Sequence, residues 1–242
     1  MTYQPEADPR TGLPVGPVVD ARPAARPGAT TLTGRFGRVE TLDPKQHGQP
    51  LWEALQGHDR IWTYLPSSGP FGGGTEFLAW LAGRAKLPDS VPYAILDLSG
   101  RAVGIATLKE IRPAMRAIEI GHLVYSPTLQ RTPLATEAQY LLARYVFETL
   151  GYRRYEWICD ALNAASRRAV ARLGFTFEGI LRQHMIAKGR NRDTALYSML
   201  DCEWPARKAA FECWLAPDNF DADGRQRTPL NTLGGSDGGT TG

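Results

Sequence analysis

A carboxylate within an apolar segment is the first candidate for chemistry in this sequence. Glu119 lies in Ile118–Tyr125, a segment rich in β-branched and aromatic residues that predicts a strand. Burying a carboxylate in a central strand is costly unless the group is paired or functional. Glu119 is therefore a candidate proton acceptor, and the alternative is an ion pair with Arg116 or Arg182.

Two histidines are alternative proton acceptors, because imidazole titrates near neutral pH. His122 lies on the opposite face of the predicted strand from Glu119, so both side chains reach one cleft only if the strand contains a bulge. His184 lies in a later predicted strand. A lone histidine on a strand is more often structural, and Glu119 stays the first candidate.

Charged residues also cluster in a predicted turn at Lys188–Asp193. Arg190, Arg192 and Asp193 either bind a carboxylate of a ligand or close an ion pair among themselves. The internal ion pair is the favoured interpretation.

A strand, a short turn and a helix follow one another after Glu119. Pro127 ends the strand, Thr128–Pro133 forms the turn, and a long helix is predicted to begin near Leu134. Pro133 suits the first helical position, where no backbone donor is lost. The free N–H groups and the positive dipole end of such a helix predict an anion-binding site.

A glycine-rich run in the first third of the chain has two interpretations from its residues, a phosphate-binding loop or a flexible turn. Gly69–Thr75 lacks the lysine of a phosphate-binding loop and follows no clear buried strand, so a flexible turn is the simpler interpretation. The aromatic side chains beside this run, Trp62, Tyr64 and Phe71, are of a kind that is more often part of the core.

The hydrophobic pattern predicts an α/β fold with one mixed sheet rather than a repeating βαβ array. The predicted strands are Gly34–Leu42, Val91–Asp97, Arg101–Leu108, Ile118–Tyr125, Tyr155–Cys159, Phe175–Met185 and Thr194–Leu200. The predicted helices are Pro44–Leu55, Thr75–Ala85, one from Leu134 to Leu150, one capped by Asn163 and stopped by Gly174, and Trp204–Leu215. In the last two, Ala169, Val170, Leu173, Trp204, Ala209, Phe211 and Trp214 are predicted to face apolar partners.

Length and composition indicate a single globular domain with extensions. The chain has 242 residues and a formal net charge of +3, which does not favour nucleic acid as a partner. Three cysteines without metal-ligand spacing favour a reduced, cytoplasmic setting and no metal. No apolar run approaches the length of a membrane span, so a membrane partner is not expected.

The chain divides into four predicted parts. Residues 1–30 form a proline- and glycine-rich arm, 31–201 the domain, 202–215 a C-terminal helix and 216–242 a flexible tail. Self-association through the arms and the C-terminal helix, giving a homodimer, is a further possibility.

Two separated segments resemble the cofactor-binding motifs of the GCN5-related N-acetyltransferases (GNAT), especially the subgroup that acetylates the N-termini of ribosomal proteins. Gln130–Ala138 is similar to the acetyl-CoA pyrophosphate loop, which reads Gln/Arg-x-x-Gly-x-Gly/Ala in that family. Asn163-x-x-Ser166, with the following Leu173–Phe175, resembles the second cofactor segment. The resemblance covers roughly Leu32 to Trp214 and implies the GNAT fold in one domain. It also implies that an N-terminal arm lies extended on that domain.

The resemblance implies acetyl-CoA as co-substrate and assigns residues to it. Proline replaces a loop glycine at Pro133 and removes one N–H donor, which Arg131 and Thr132 would offset through their side chains. The residues implied in acetyl-CoA binding are Leu123, Val124, Tyr125, Gln130, Arg131, Thr132, Leu134, Ala135, Thr136, Asn163 and Ser166.

The implied reaction is attack of a neutral amine on a thioester, which needs a proton acceptor, an oxyanion donor and a proton for the leaving thiolate. Glu119 is the candidate base, and backbone N–H groups of Leu123–Tyr125 are the oxyanion donors. Many relatives use a tyrosine as the acid, but Val170 holds that position here, so Ser166 is the candidate donor. The alternative role for Ser166 is capping of its helix.

The implied activity is acetyl transfer from acetyl-CoA to a primary amine, either a protein N-terminus or a small molecule, by direct attack in a ternary complex. Trp62, Tyr64, Phe71 and His184 are the implied acceptor-binding residues. Transfer of another acyl group, such as succinyl, is an alternative. A CoA-binding module without turnover is another, motivated by Pro133 and Val170. Cys159 is interpreted as a buried structural cysteine.

Overall fold

The computed structural model describes residues 4–233, which form ten strands and six α-helices. The strands are β1 (Glu6–Ala7), β2 (Pro14–Val15), β3 (Thr31–Thr33), β4 (Arg38–Thr41), β5 (Ser90–Leu96), β6 (Ala102–Arg112), β7 (Ala117–Tyr125), β8 (Arg154–Asp160), β9 (Thr176–Ala187) and β10 (Arg190–Leu200). The helices are α1 (Pro44–Leu55), α2 (Gly74–Arg84), α3 (Pro133–Arg144), α4 (Ala164–Arg172), α5 (Trp204–Leu215) and α6 (Leu230–Leu233). The prediction of an α/β fold with one mixed sheet is confirmed.

The main sheet has the strand order β3-β4-β5-β6-β7-β8-β10-β9. Neighbouring strands are antiparallel, except that β7 and β8 are parallel. The β7–β8 ladder pairs Ala117–Ile120 with Arg154–Trp157, and no pairing continues beyond Ile120 and Trp157. The two central strands therefore separate toward their C-terminal ends and leave a cleft in the middle of the sheet.

Helices cover both faces of the sheet. Helices α3, α4 and α5 share one apolar cluster with the residues of one sheet face, here called the α3 face. Helices α1 and α2 share a second cluster with the opposite face, here called the α1 face. Because side chains alternate along a strand, each position on β7, β8 and β10 belongs to one of these two faces.

Local capping signals explain why several helix boundaries were predictable. Asp43 accepts a hydrogen bond from the N–H of Lys45 at 2.9 Å, and Pro44 follows it at the first helical position. Asn163 caps α4 in the same manner. Gly174 has φ of +88°, which ends that helix in the left-handed region.

The predicted first strand, Gly34–Leu42, is wrong in its first half. Thr31–Thr33 and Arg38–Thr41 form a hairpin, and Gly34–Gly37 is its turn. The carboxylate of buried Glu137 accepts the N–H groups of Arg35 and Phe36 at 2.6 and 2.8 Å. A residue of the distant helix α3 therefore holds this turn in place, and the sequence around the turn does not predict that contact.

The bounds of three later elements also differ from the predicted ones. Strand β6 extends to Arg112, whereas the sequence predicted a charged connection from Lys109 to Arg116. The β9–β10 turn is shorter than predicted, because β10 begins at Arg190. The long helix changes to a π-helical turn at Tyr145–Thr149.

Two alanines predicted to face apolar partners are exposed, namely Ala169 and Ala209, whereas Val170 and Ala210 are buried. Trp204, Phe211 and Trp214 are buried within the chain, and Trp204 and Phe211 pack against Tyr140 of α3. The apolar face of α5 therefore packs within the domain, and self-association stays a prediction.

The arm is ordered where it meets the domain. Ala24 and Ala25 donate backbone hydrogen bonds to the carbonyls of Pro113 and Leu150 at 3.1 and 2.9 Å. In the predicted tail, Leu230 is buried and Asn219 donates to the carbonyl of Trp214; residues 1–3 and 234–242 lie outside the described residues. No helix within 4–233 is long and apolar enough to span a membrane.

Candidate active site

A cavity of about 470 Å³ lies where β7 and β8 separate, and is called the central cavity here. Its walls come from β7, β8, the start of α4, the segment Ile61–Pro66 and the β9–β10 hairpin. The cavity brings together six predicted site residues, namely Glu119, Leu123, Asn163, Ser166, Tyr64 and His184. Residues that are far apart in the sequence therefore share one chamber.

Glu119 is buried, with 3% of its side chain exposed, and faces the cavity from the α1 face. Its partner is Lys109, whose Nζ lies 3.0 Å from the Glu119 carboxylate. The predicted partners Arg116 and Arg182 are therefore wrong; Arg116 donates to the carbonyl of Gly151 instead. Burial raises the pKa of Glu119 to about 7, although the positive charge of Lys109 opposes the rise.

Gly121 provides the space for this ion pair. A Cβ atom at Gly121 would lie 2.8 Å from Oε1 of Glu119 and 2.8 Å from Cε of Lys109. Only glycine therefore leaves both side chains in their present positions.

A β-bulge places His122 in the same cavity. The pairing with β6 shifts between Thr107–Gly121 and Ile105–Val124, and His122 has φ of +46°. The sequence predicted that Glu119 and His122 reach one cleft only if the strand contains a bulge, and the strand contains that bulge. Neither ring nitrogen of His122 has a hydrogen-bond partner within the described chain, and burial lowers its pKa to about 3.

Beyond Ile120 the edge of β7 that faces β8 has no strand partner. The backbone of Leu123–Tyr125, predicted to contribute oxyanion donors, follows the bulge on this strand. The Val124 side chain is buried and the Tyr125 hydroxyl accepts from Gln139 at 2.6 Å. Their contribution to a ligand would therefore come from the backbone.

Ser166 lies on the opposite side of the cleft from Glu119. Its N–H is held by the side chain of Asn163 at 3.1 Å, and its hydroxyl accepts a hydrogen bond from Nε1 of Trp157 at 2.9 Å. The helix cap is therefore Asn163, and the Ser166 hydroxyl is not used for capping. Its own hydrogen is not used in that bond and lies beside the Cys159 thiol, whose pKa the Ser166 hydroxyl lowers against the larger effect of burial.

The predicted pyrophosphate loop is a well-formed strand–turn–helix unit. Thr132 caps α3 by accepting from the N–H of Ala135 at 3.2 Å, and its hydroxyl donates to the carbonyl of Leu129 at 2.7 Å. Gln130 donates to the carbonyl of Tyr125 at 2.8 Å. The Thr132 hydroxyl therefore already makes two hydrogen bonds within the chain. The side-chain contact predicted to offset the missing N–H of Pro133 is left to Arg131, which is exposed with φ of +63°.

Two other residues of this loop point inward. Leu134 is buried in the core, and the hydroxyl of buried Thr136 accepts from Nη1 of Arg172 at 3.0 Å. Only their backbone groups at the start of α3 are placed to meet a ligand.

The aromatic residues predicted to line the acceptor pocket divide into two groups. Tyr64 lines the cavity. Trp62 and Phe71 do not; they pack edge to face at 5.0 Å within a cluster that includes Phe77 and Trp80. The prediction that these two residues line the cavity is therefore wrong, because their rings pack into this aromatic cluster instead.

Several cavity residues were missed by the sequence reasoning, including Ile61, Lys109, Arg112, Glu156 and Asp160. Lys109 lies directly opposite Glu119 in the β6–β7 register. Ending β6 at Leu108 hid that pairing, and counting back from the turn at Pro113–Met115 would have placed Glu110 opposite Glu119, because the register shifts between Lys109 and Arg112. Arg112 of β6 forms an ion pair with Glu156 of β8, across the intervening strand β7.

One lysine forms hydrogen bonds between two of the segments that contribute to the cavity walls. Nζ of Lys188, in the β9–β10 turn, donates to the carbonyls of Trp62 and Ser68 at 2.7 and 2.9 Å. This contact joins the hairpin to the segment before α2. Elsewhere at the cavity, Nδ1 of His184 lies 2.9 Å from the Thr194 hydroxyl.

The arrangement combines a carboxyl that titrates near neutral pH, a hydroxyl on the opposite side and a helix N-terminus at the end of the cleft. Residues 42–176 match the family model described as the Acetyltransferase (GNAT) domain. The chain belongs to the GNAT acetyltransferase family. The family and fold implied by the resemblance are therefore confirmed, and this GNAT protein is an acetyl-CoA-dependent N-acetyltransferase.

Known proteins similar to it span most of its length. A GCN5-related N-acetyltransferase from Brucella melitensis is 45% identical, with a TM-score of 0.85 over 88% of this chain and 97% of that one. A GNAT-family structure from Chromobacterium violaceum ATCC 12472 is 43% identical, with a TM-score of 0.75 over 80% and 98%. YdaF from Bacillus subtilis (strain 168), provisionally named a ribosomal N-acetyltransferase, is 28% identical over 70% of this chain and 94% of its own length.

Proposed function

We propose that this GNAT protein transfers the acetyl group of acetyl-CoA directly to a primary amine in a ternary complex, with Glu119 as the general base. The observation that carries the proposal is the buried Glu119 carboxyl, with its pKa raised to about 7, in a cavity that also holds Ser166. A base is most effective when its pKa lies near the working pH.

The cofactor side of the site fits acetyl-CoA. The N-terminus of α3 and the side chain of Arg131 suit its pyrophosphate, and the cleft between β7 and β8 suits the extended arm that ends in the thioester. Acetyl-CoA supplies an activated acetyl group with a thiolate leaving group. The chain's own task is to orient that group and to move protons around it.

Glu119 is a better base than His122. A group with a pKa near 3 holds a proton too weakly to remove one from an amine at neutral pH, and His122 has such a pKa because its ring is buried. Lys109 holds the Glu119 carboxylate and keeps it on the α1 face. The acceptor amine therefore approaches from the α1 face.

Backbone N–H groups of Leu123–Tyr125 would hold the carbonyl oxygen, because the β7 edge is unpaired there. The Ser166 hydroxyl would donate a proton to the leaving thiolate. Because it accepts from Trp157, its own hydrogen is directed away from that ring and is a stronger donor.

Direct transfer needs no nucleophile from the protein. Cys159 lines the cavity, but burial raises the pKa of its thiol and so disfavours the reactive thiolate. Ser166 has no adjacent histidine base at its hydroxyl. The acceptor class proposed is a protein N-terminus or a small amine, and the named activity of YdaF supports the former.

The test is CoA release measured with a panel of amines and N-terminal peptides. Intersecting initial-velocity lines are expected for a ternary complex, whereas parallel lines would indicate a covalent enzyme intermediate. Glu119→Gln should lower kcat by about 100-fold or more. Glu53→Gln, at an exposed carboxylate of α1 outside the cavity lining, is the matched control and should stay within about threefold of the wild type. Equal loss in both variants would remove Glu119 from its role.

A further inference from the structure

Arg192 is a buried cation with no partner in the described part of the chain. It lies on β10 on the α1 face and lines the central cavity, with 8% of the residue exposed. It forms neither a hydrogen bond nor an ion pair with any described residue, and its Nε is enclosed without a partner. The predicted ion pair within Arg190–Asp193 is therefore wrong for this residue.

Two carboxylates that could have paired with Arg192, its sequence neighbour and one from the same cavity lining, are bound to other groups. Asp193 accepts from the N–H of Gln183 at 2.7 Å and from Nδ2 of Asn191 at 3.0 Å. Glu156 is paired with Arg112 and Arg154. Arg192 thus has no carboxylate partner among the described residues.

A buried guanidinium without a counter-charge is unfavourable, so its position calls for a ligand. Arg192 also adds to the positive charges, after Arg84 and Lys109, that together with burial lower the pKa of His122. The positive charge of Arg192 therefore acts on a group inside the cavity. A planar guanidinium is suited to a carboxylate, which it binds through two parallel hydrogen bonds.

We propose that Arg192 binds a carboxylate carried by the acceptor, so that the acceptor is an amine with a nearby carboxylate. The inference rests on the proposed function. Glu110 and Asp160 also line the cavity and are complementary to the ammonium group of such a zwitterion as it enters. The same acidic residues would repel a phosphate dianion, which favours the singly charged carboxylate.

The experiment compares amines in pairs that differ only in the carboxylate. Glycine, β-alanine and 4-aminobutyrate are each measured against their amides with acetyl-CoA, and rates are expressed per concentration of neutral amine. An N-terminal aspartyl dipeptide is compared with its asparaginyl counterpart. The wild type should prefer the carboxylate member of at least one pair by about 10- to 100-fold, the range for hydrogen bonds between charged groups.

Arg192→Gln should abolish that preference and leave kcat/KM for the amides within about threefold of the wild type. Arg192→Lys, which keeps the charge but not the paired donors, should retain part of it. Arg190→Gln is the matched control, because Arg190 is an exposed arginine on the same strand outside the cavity lining. It should leave the preference unchanged.

Measurements of Tm separate carboxylate binding by Arg192 from a purely structural role of this residue. Without ligand, Arg192→Gln should not lower Tm, because it removes an unpaired buried charge, whereas a clear fall would show a structural role and overturn the proposal. The N-acetylated acid of the preferred pair should raise Tm of the wild type and not of Arg192→Gln. This binding test decides the proposal even if no amine is acetylated, a result that would defeat the proposed function alone.

Two kinetic outcomes would also overturn the proposal while leaving the activity intact. One is acetylation of acids and amides at equal rates. The other is that Arg192 binds a carboxylate of the acyl group rather than of the acceptor. In that case neutral amines would react faster with succinyl-CoA than with acetyl-CoA, and Arg192→Gln would lose this difference.

Discussion

At the scale of single residues, the buried pair of Glu119 and Lys109 shows how burial and charge compete. Desolvation disfavours the ionised carboxylate, while the ammonium 3.0 Å away favours it. Desolvation is the larger effect, so the carboxyl titrates near neutral pH rather than near its ordinary value. The same balance should be visible in stability as well as in catalysis.

The stability prediction follows from the sign of this shift. The folded state binds a proton at Glu119 up to a pKa of about 7, whereas the unfolded chain releases it near 4.5. This group therefore adds stability that is complete below the lower value and is lost as pH rises to the higher one. The unfolding free energy of the wild type, minus that of Glu119→Gln, should fall between about pH 5 and pH 7. Denaturant titrations at several pH values measure it, and a rising difference would contradict the shift.

Gly121→Ala tests whether the position of the pair matters. The new Cβ would displace the ends of Glu119 and Lys109, both of which are flexible, so the sheet should survive. We expect kcat to fall by about tenfold or more with little change in Tm. Gly83→Ala, at a helix position where no atom lies within 4 Å of a new Cβ, is the control and should keep full activity. Wild-type kinetics in Gly121→Ala would show that the pair tolerates movement.

At the scale of elements, the strand–turn–helix unit around α3 makes Pro133 the main departure from the family's loop. Pro133→Ala would keep the helix start, which Thr132 caps, and would add one N–H donor. Calorimetric titration with acetyl-CoA should show a Kd lowered by about three- to tenfold. Arg131→Ala should raise the Kd by a similar or larger factor. If Pro133→Ala weakened binding, the proline would have a positive role that the missing donor does not explain.

What the sequence could predict depended on whether the deciding interaction was local. Asp43 and Pro44 lie beside α1, and the bounds predicted for that helix, Pro44–Leu55, agree with the structure. The turn at Gly34–Gly37 was missed because Glu137, about a hundred residues later, holds it. Arg192 was assigned an ion pair for a similar reason: its burial is set by the packing of β10 beside β8, which the turn sequence does not encode.

At the scale of the whole molecule, the hydrogen bonds that join the described part of the N-terminal arm, from residue 4 onward, to the domain lie in the second half of the arm. The carbonyl of Asp20 accepts from Arg116, and the backbone of Ala24, Ala25 and Gly28 donates to the domain. The strands Glu6–Ala7 and Pro14–Val15 pair with each other. The boundary of the folded unit is therefore proposed near Asp20 rather than after residue 30.

Two truncations test this boundary. Deleting residues 1–19 should change Tm by no more than about 2 °C, because the contacts to the domain remain. Deleting residues 1–28 should lower Tm by about 5 °C or more, since the hydrogen bonds that Asp20, Ala24, Ala25 and Gly28 make to the domain are all lost. Equal falls would place the boundary earlier in the chain, and no fall in either would mean that the arm contributes nothing to folding.

The Lys188 contact has a consequence for the shape of molecules that this GNAT protein can modify. By joining the β9–β10 turn to the carbonyls of Trp62 and Ser68, it ties the hairpin that carries His184 and Arg192 to the segment that carries Tyr64 and Pro66, and all four of these residues line the central cavity. A tether between two walls limits how far they can move apart, so a wide acceptor enters only if the tether opens. The enzyme should therefore distinguish acceptors by width before it distinguishes them by sequence.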